Sequence, residues 1–389
     1  MKRVLCLLMA VCLCFSGCDS PEVPPEAPAP DIYVKGVWFT YSEINSMLNS
    51  ADFKREFQSA ADNCKSFGIT DAFIHIRAFC DSIYKSRYFP LTESARKYNY
   101  DVFEYMIGVC KDRGIRVHAW INPYRIKTGT TDFNTLPEDS IPGGWLLDQD
   151  PQNDINICFS NGIYLNPASG EAQRLIIDGI KEVLLNYPID GIHFDDYFYP
   201  TTDPQFDKAS YENYAKGNEA AMELPFWRRA NVNALIGGCY AAIKFIDKDI
   251  IFSISPAASV GKNYSEYYAD VSAWVKSGCV DWVIPQLYFG FEYPVEDYCF
   301  EQLLSIWKNT LASYKNTRLI IGLAAYKVGT DQEPDNEEWG AHDDILLRQT
   351  EICAADAAVS GHIFFSYSSL FSGKEANKRA RELLMKTAD

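Results

Sequence analysis

The sequence predicts an α/β protein, a (β/α)8 TIM barrel with long loops at its C-terminal rim. Three observations lead there. From Ile32 onward, short apolar runs alternate with amphipathic stretches, as in βα units around a parallel sheet. Eight such runs occur, the number that closes a barrel. No internal repeat or change of composition divides residues 32–389, which are therefore drawn as one domain. Composition agrees: 389 residues, 47% apolar and 23% charged, make a globular chain with ample material for a core. Lys+Arg of 36 against Asp+Glu of 52 gives a formal charge of −16, which repels polyphosphate and excludes a general nucleic-acid binder. No stretch reaches the roughly 18 apolar residues of a spanning helix, and no obligate protein partner is evident.

Lys2 and Arg3 precede the apolar run Val4 to Phe15, followed by Ser16-Gly17-Cys18. This is a secretory signal over residues 1–17. Its end resembles the bacterial lipoprotein box, with Phe15 where Leu is usual. The expectation is an exported chain, lipid-anchored to a bacterial membrane through Cys18. Residues 18–31 include PEVPPEAPAP and read as a Pro-rich tether. Beyond Cys18, eight cysteines lie singly without C-x-x-C pairs, so neither a zinc ribbon nor a specific disulfide is expected.

The predicted strands are Gly36–Thr40, Ala72–Arg77, Arg116–Asn122, Gly191–Asp195, Ile251–Ser255, Trp282–Tyr288, Leu319–Leu323 and His362–Tyr367. Between them the apolar spacing predicts helices, including 101–112, 171–186, 228–246, 264–276 and 343–358, with Gly68 and Gly114 as helix stops. The insertions 127–165, 199–228 and 328–339 all follow strands and so belong to the C-terminal rim.

Period two assigns faces. His75 and Arg77 share one face of the second strand. His118, Trp120 and Asn122 share one face of the third. His193 and Asp195 share one face of the fourth, and Trp282, Ile284, Gln286 and Tyr288 one face of the sixth. Polar content rises toward the strand ends, where a barrel keeps its active site. Polar layers satisfied inside the barrel are the plainer alternative. The segment Asp190-Gly191-Ile192-His193-Phe194-Asp195-Asp196-Tyr197-Phe198-Tyr199-Pro200 sets two acids after a buried strand and then three aromatics. Carboxylates act on glycosidic bonds, and aromatic faces stack on sugar rings. Asp195 faces the axis and is the more central candidate, with Asp196 starting the loop. Further candidates for a second acid are Asp81, Glu292 among Phe289, Phe291 and Tyr293, and Asp270, which the predicted helix 264–276 makes structural. Arg77 and Arg125 would grip a substrate carboxylate. Asn122, Gln286 and Tyr288 would bind sugar hydroxyls or an acetamido group. Trp38, Trp120, Tyr197 and Tyr199 would form stacking walls, with core packing the alternative for the two tryptophans. His75, His118 and Asp81 complete the expected substrate-binding set.

These stretches resemble the bacterial glycosyl-hydrolase-like family 10, formerly domain of unknown function 187, often found on lipoproteins. The matching segments are Lys35-Gly36-Val37-Trp38, Phe73 to Arg77, His118-Ala119-Trp120-Ile121-Asn122-Pro123-Tyr124-Arg125, Tyr164-Leu165-Asn166-Pro167, Asp190 to Pro200, Ser255-Pro256 and Pro285-Gln286-Leu287-Tyr288. They run in order across nearly the whole chain. Ile76-Arg77-Ala78 stands where the family has Val-Arg-Pro. The resemblance implies a glycan substrate, since some members cut peptidoglycan strands stripped of stem peptides. Asp190 to Tyr197 is also similar to the D-G-x-D-x-D-x-E motif of chitinase-like barrels, in which the substrate's acetamido group attacks. Here Tyr197 replaces the acid Glu, and His193 an Asp, so Asp196 or another rim acid would have to supply the proton.

Two other readings stay open. One is a non-catalytic glycan-binding lipoprotein that kept a hydrolase fold. The other is a metal-dependent hydrolase or deacetylase using the strand histidines His75, His118, His193 and His362; without H-x-H on any strand, no metal site is expected. No G-x-G-x-x-G follows a strand and no Ser lies in a nucleophile elbow, so no cofactor is expected.

Overall fold

The protein is described from a computed structural model over residues 33–386, apart from 138, 149, 151, 315 and 331–335. The signal, Cys18 and the tether lie outside the described residues, as does part of the 328–339 insertion. The strands are β1 (Val34–Phe39), β2 (Asp71–Arg77), β3 (Arg116–Ile121), β4 (Arg125–Thr128), β5 (Ile157–Phe159), β6 (Gly162–Leu165), β7 (Gly191–Phe194), β8 (Ile251–Ile254), β9 (Trp282–Val283), β10 (Arg318–Leu323) and β11 (Val359–Phe364). Eight of them close a parallel barrel in the order β1-β11-β10-β9-β8-β7-β3-β2. This is the (β/α)8 architecture, with helices between the strands. The insertion after β3 builds its own antiparallel sheet, β4-β6-β5, on the rim.

Local chemistry sets the helix ends. The Asp101 carboxylate accepts from the Phe103 and Glu104 amides to start Val102–Lys111, and the Ser169 hydroxyl starts Gly170–Asn186 in the same way. Gly68 and Gly114 follow helices with φ of +77° and +69°, the left-handed turn that glycine permits. The predicted helix 264–276 is two helices, Val260–Ser265 and Val271–Lys276, broken where Tyr268 takes φ +54°. Asp270 caps the second, accepting from the Ala273 amide.

Inside the barrel Val34, Trp38, Phe73, Trp120, Trp282, Ile284, Ile320 and Ile363 pack together. Outside it, a larger apolar layer joins strands to helices. Burying each such large side chain is worth about 1.5–3 kcal/mol. β9 is shorter than predicted because Pro285 lacks an amide hydrogen. The chain nevertheless stays in register, with the Gln286 amide donating to Pro256 O at 3.0 Å, so Gln286 keeps the inward face. β11 ends at Phe364, before the predicted Tyr367, whose ring instead stacks on Phe39 outside the barrel at 4.7 Å.

One register detail moves a predicted site residue. His75 pairs with Trp120, but Arg77 pairs with Ile121, so Ile76 is an extra residue in β2. Ile121 packs in the outer layer, and Arg77 turns outward beside it. The Arg77 guanidinium lies 4.1 Å from the Phe89 ring centroid and is 2% exposed. A β-carbon at Gly179 would stand 2.7 Å from its Nη1, so glycine makes the room.

Candidate active site

The mouth of the barrel is built around Asp195, the residue after β7. Its carboxylate accepts from Trp120 Nε1 at 3.0 Å, Asn122 Nδ2 at 3.1 Å and the Tyr197 amide at 3.3 Å. The Asn122 Oδ1 accepts the Arg125 amide at 3.0 Å, which fixes the side-chain amide with its NH2 toward Asp195. Burial pushes the Asp195 carboxyl above its usual value, against the pull of Arg125 and the three donors. Asp196 is half-buried beside it. Burial, and then the neighbouring Asp195 charge, push it up to about 7, while the Gln286 amide and Arg125 pull down.

These groups share a pocket of about 250 Å3. Arg125, Asp195, Asp196, Tyr197, Gln286 and Tyr288 line it, with Trp38, His75 and Trp120 beneath. The Arg125 Nε donates to Ala78 O at 3.0 Å, and its guanidinium lies between the Phe79 and Tyr197 rings at 4.8 and 4.7 Å. Among the described residues no carboxylate reaches ion-pair distance of it. Tyr197 is 56% exposed and offers a free ring face. Gln286 Nε2 donates to Ser255 O at 3.0 Å, and burial lifts the Tyr288 phenol well above its usual value.

Several predicted residues serve differently. Arg77 is in the helix layer, turned there by the extra residue in β2. His118 lies a layer deeper in the barrel, with Nε2 2.9 Å from Asp71 Oδ1 and its ring stacked on Phe73, so it cannot meet a ligand. Asn122 is 1% exposed and acts on Asp195 rather than on a sugar. The Trp120 face is used up by His75, stacked at 3.7 Å, and Trp38 is enclosed, donating from Nε1 to His193 Nε2 at 3.0 Å. Neither is a stacking wall. Tyr199, 1% exposed, packs against Phe206 and Tyr268 with the Arg228 guanidinium over its ring. Glu292 is exposed and lines neither pocket at the mouth; among the described residues its amide alone is held, by the buried Glu338 carboxylate. Asp81 lines a neighbouring pocket of about 500 Å3, where burial raises its carboxyl to about 6.

Sequence reasoning missed Tyr41, 40% exposed and common to both pockets, and Ser255, which lines the first. Their signals were present: Tyr41 comes directly after the first strand, and Ser255 lies two residues beyond the inward Ser253. The strand histidines do not converge. His193 bonds Trp38 and Ser253, and His362 the Tyr33 hydroxyl. Among the described residues no three His, Cys, Asp or Glu side chains form a metal-holding group.

The chain matches the glycosyl hydrolase-like 10 family over residues 33–340. It is 31% identical over 350 residues to glycosyl hydrolase YngK of Bacillus subtilis, covering 83% of this chain and 65% of that protein's length. It is 29% identical over 413 residues to glycosyl hydrolase DigH of Escherichia coli, covering 92% and 91%. Among solved structures, the glycoside hydrolase domain of PgaB (BpsB) from Bordetella bronchiseptica superposes with a TM-score of 0.62 at 15% identity, over 91% of this chain and 99% of that one. Alpha-L-fucosidase isoenzyme 2 from Paenibacillus thiaminolyticus gives 0.55 at 12%, over 92% and 49%. At such identities these two likenesses establish the barrel fold, and the sequence matches establish kinship. The chain belongs to the glycosyl hydrolase-like 10 family.

Proposed function

We propose that the protein hydrolyses glycosidic bonds of an N-acetylated cell-envelope glycan, with peptide-free peptidoglycan strands as substrate. The observation that carries this is a pair of adjacent carboxyls in one pocket with unequal surroundings. Burial, and then the Asp195 charge, keep Asp196 protonated up to about pH 7, while three donors on Asp195 favour its anion against burial. Asp196 then gives its proton to the leaving glycosidic oxygen as the bond to the anomeric carbon breaks, and a water adds to that carbon, its proton returning to the Asp196 carboxylate. Asp195 stabilises the positive charge developing on the sugar. Arg125 offers a fork to a substrate carboxylate such as a muramic lactyl group, Tyr197 a stacking face, and Gln286 and Tyr288 polar groups for an acetamido arm.

Digestion of peptide-free glycan strands by wild type, Asp195→Asn and Asp196→Asn is the test. Soluble products from wild type and their loss in both variants are expected; full activity in both variants would remove the pair from the mechanism. A second reading, glycan binding without cleavage, draws on one feature: among the described residues, the acids lining this pocket are these two chain neighbours. Saturable binding by wild type with no product at any pH would favour it. On the leading reading the chain is exported and held to a bacterial membrane by a lipid on Cys18, so Cys18→Ala should leave the membrane fraction.

A further inference from the structure

The Asp81 pocket adjoins the catalytic one, and the two share Tyr41 and His75. Its polar lining comes from two rim segments: Asn45 and Asn49 after β1, and Asp81, Thr92, Glu93, Ser94 and Lys97 after β2, with the Lys97 ammonium donating to the Asn49 side-chain oxygen. Apolar cover comes from Tyr41 and Phe79, whose rings meet edge to face at 5.4 Å. One exposed aromatic among amides, hydroxyls, two carboxyls and the Lys97 ammonium is the surface a pyranose ring needs, a face for its C–H groups and donors and acceptors for its hydroxyls.

His75 is the second, independent observation. Its ring is 2% exposed, stacked on Trp120 on one side and met edge-on by Tyr41 on the other. Among the described residues neither ring nitrogen has a hydrogen-bond partner. Burial, with the Arg125 and His193 charges, holds it well below the usual imidazole value and therefore neutral, with one donor and one acceptor. A buried polar ring without a partner is expensive, unless a ligand at the junction of the two pockets supplies one. Elsewhere in the barrel the histidines are engaged: His118 with Asp71, and His193 with Trp38 and Ser253.

We propose that the Asp81 pocket is a second sugar subsite, continuous with the catalytic pocket, in which a neutral, hydroxyl-rich pyranose donates to Asp81 and exchanges a hydrogen bond with His75 at the boundary. This rests on the functional reading for the glycan class, but it concerns binding rather than cleavage. The chain must then be held on both sides of Tyr41, so affinity grows with oligosaccharide length.

Calorimetric titration with the dimer and tetramer of β-1,4-linked N-acetylglucosamine tests it. Wild type should bind the tetramer at least about tenfold more tightly than the dimer, one hydrogen-bonded contact set being worth about that factor. Asp81→Ala should erase most of that ratio. Asn49→Ala, at an exposed position, should reduce it without threatening the fold. Glu292→Ala, outside both pockets, should keep it. A tetramer-to-dimer ratio near one in wild type, or one unmoved by both Asp81→Ala and Asn49→Ala, overturns the subsite. A persistent length advantage in a protein that releases no product would sink the hydrolytic reading while supporting the subsite.

Discussion

Two aspartates sit in the barrel wall at opposite ends and are equally enclosed, Asp71 at 0% and Asp195 at 2% exposure. Their carboxyls nevertheless move in opposite directions. Asp71, at the start of β2, meets the His118 ring nitrogen and the Arg116 guanidinium at 2.9 Å each, and accepts from the Thr70 hydroxyl. Burial raises it, but His118 and Arg116 together outweigh burial and its pKa falls. Asp195 meets indole, amide and backbone N–H groups, with Arg125 further off, and there burial wins. A buried carboxyl answered at contact by a cation is a structural anion. One held by neutral donors is left raised by burial, and its charge when ionised helps burial hold the proton on its neighbour.

The largest expected break in this contrast is at the mouth. Asp196→Asn removes the proposed acid and should lower kcat/KM on peptide-free strands by about 10²–10⁴-fold, read by release of reducing ends. In wild type the rate should decline as pH rises through about 7, because Asp196 then loses its proton; that limb should vanish in the variant. Stability carries the same sign. Asp196 is raised from 3.8 to about 7, so its contribution is full below about pH 4 and is lost as pH rises toward 7.

At the other end, Asp71→Ala uncovers His118 and should cost about 3–5 kcal/mol in urea unfolding, with little direct effect on the chemistry. Its pH signature is the reverse. The lowered Asp71 carboxyl stabilises above its unfolded value of 3.8, and that support disappears as pH falls through the lower folded value. The variant should therefore lose the acid-side decline that wild type shows.

A smaller effect sharpens the role of the neutral donors. Trp120→Phe keeps the stack on His75 but deletes the indole N–H that Asp195 accepts at 3.0 Å. One donor to a carboxylate is worth about 1.5–3 kcal/mol, so kcat should fall by roughly ten- to a hundredfold. Because the Asp195 anion is then less favoured, the alkaline limb set by Asp196 should move to lower pH. A purely packing role for Trp120 would leave that limb in place.

How much of this was legible in the sequence follows from what each inference needed. The eight strands and their order rest on apolar runs and spacing, which are local. The inward direction of Asp195, Gln286 and Tyr288 rests on parity, which survived even the proline in the β9 segment. Parity failed at Arg77, because the extra residue in β2 is visible only against β3. His118 has the predicted face but the wrong depth, since alternation states which side a residue takes and not how far it lies from the rim. Tyr199 was misread because a loop carries no period, and its partner Arg228 is 29 residues further along the chain.

The smallest expected effect is at a loop acid that the sequence offered among the candidates for a second acid. Glu292 stands between Phe291 and Tyr293, yet its side chain is exposed and, among the described residues, its amide alone is tied, to the Glu338 carboxylate at 3.0 Å. An aromatic neighbourhood in sequence raises a carboxyl only if the rings close over it, and here solvent keeps access. Glu292→Ala should change kcat by less than about twofold and stability by less than about 0.5 kcal/mol. Glu338→Ala should do more to the same loop, because the buried Glu338 carboxylate accepts both the Phe291 and Glu292 amides. If Glu292→Ala instead abolished turnover while Asp196→Asn did not, the proton would come from the loop, and the contrast between the two ends of the barrel would no longer explain where the chemistry occurs.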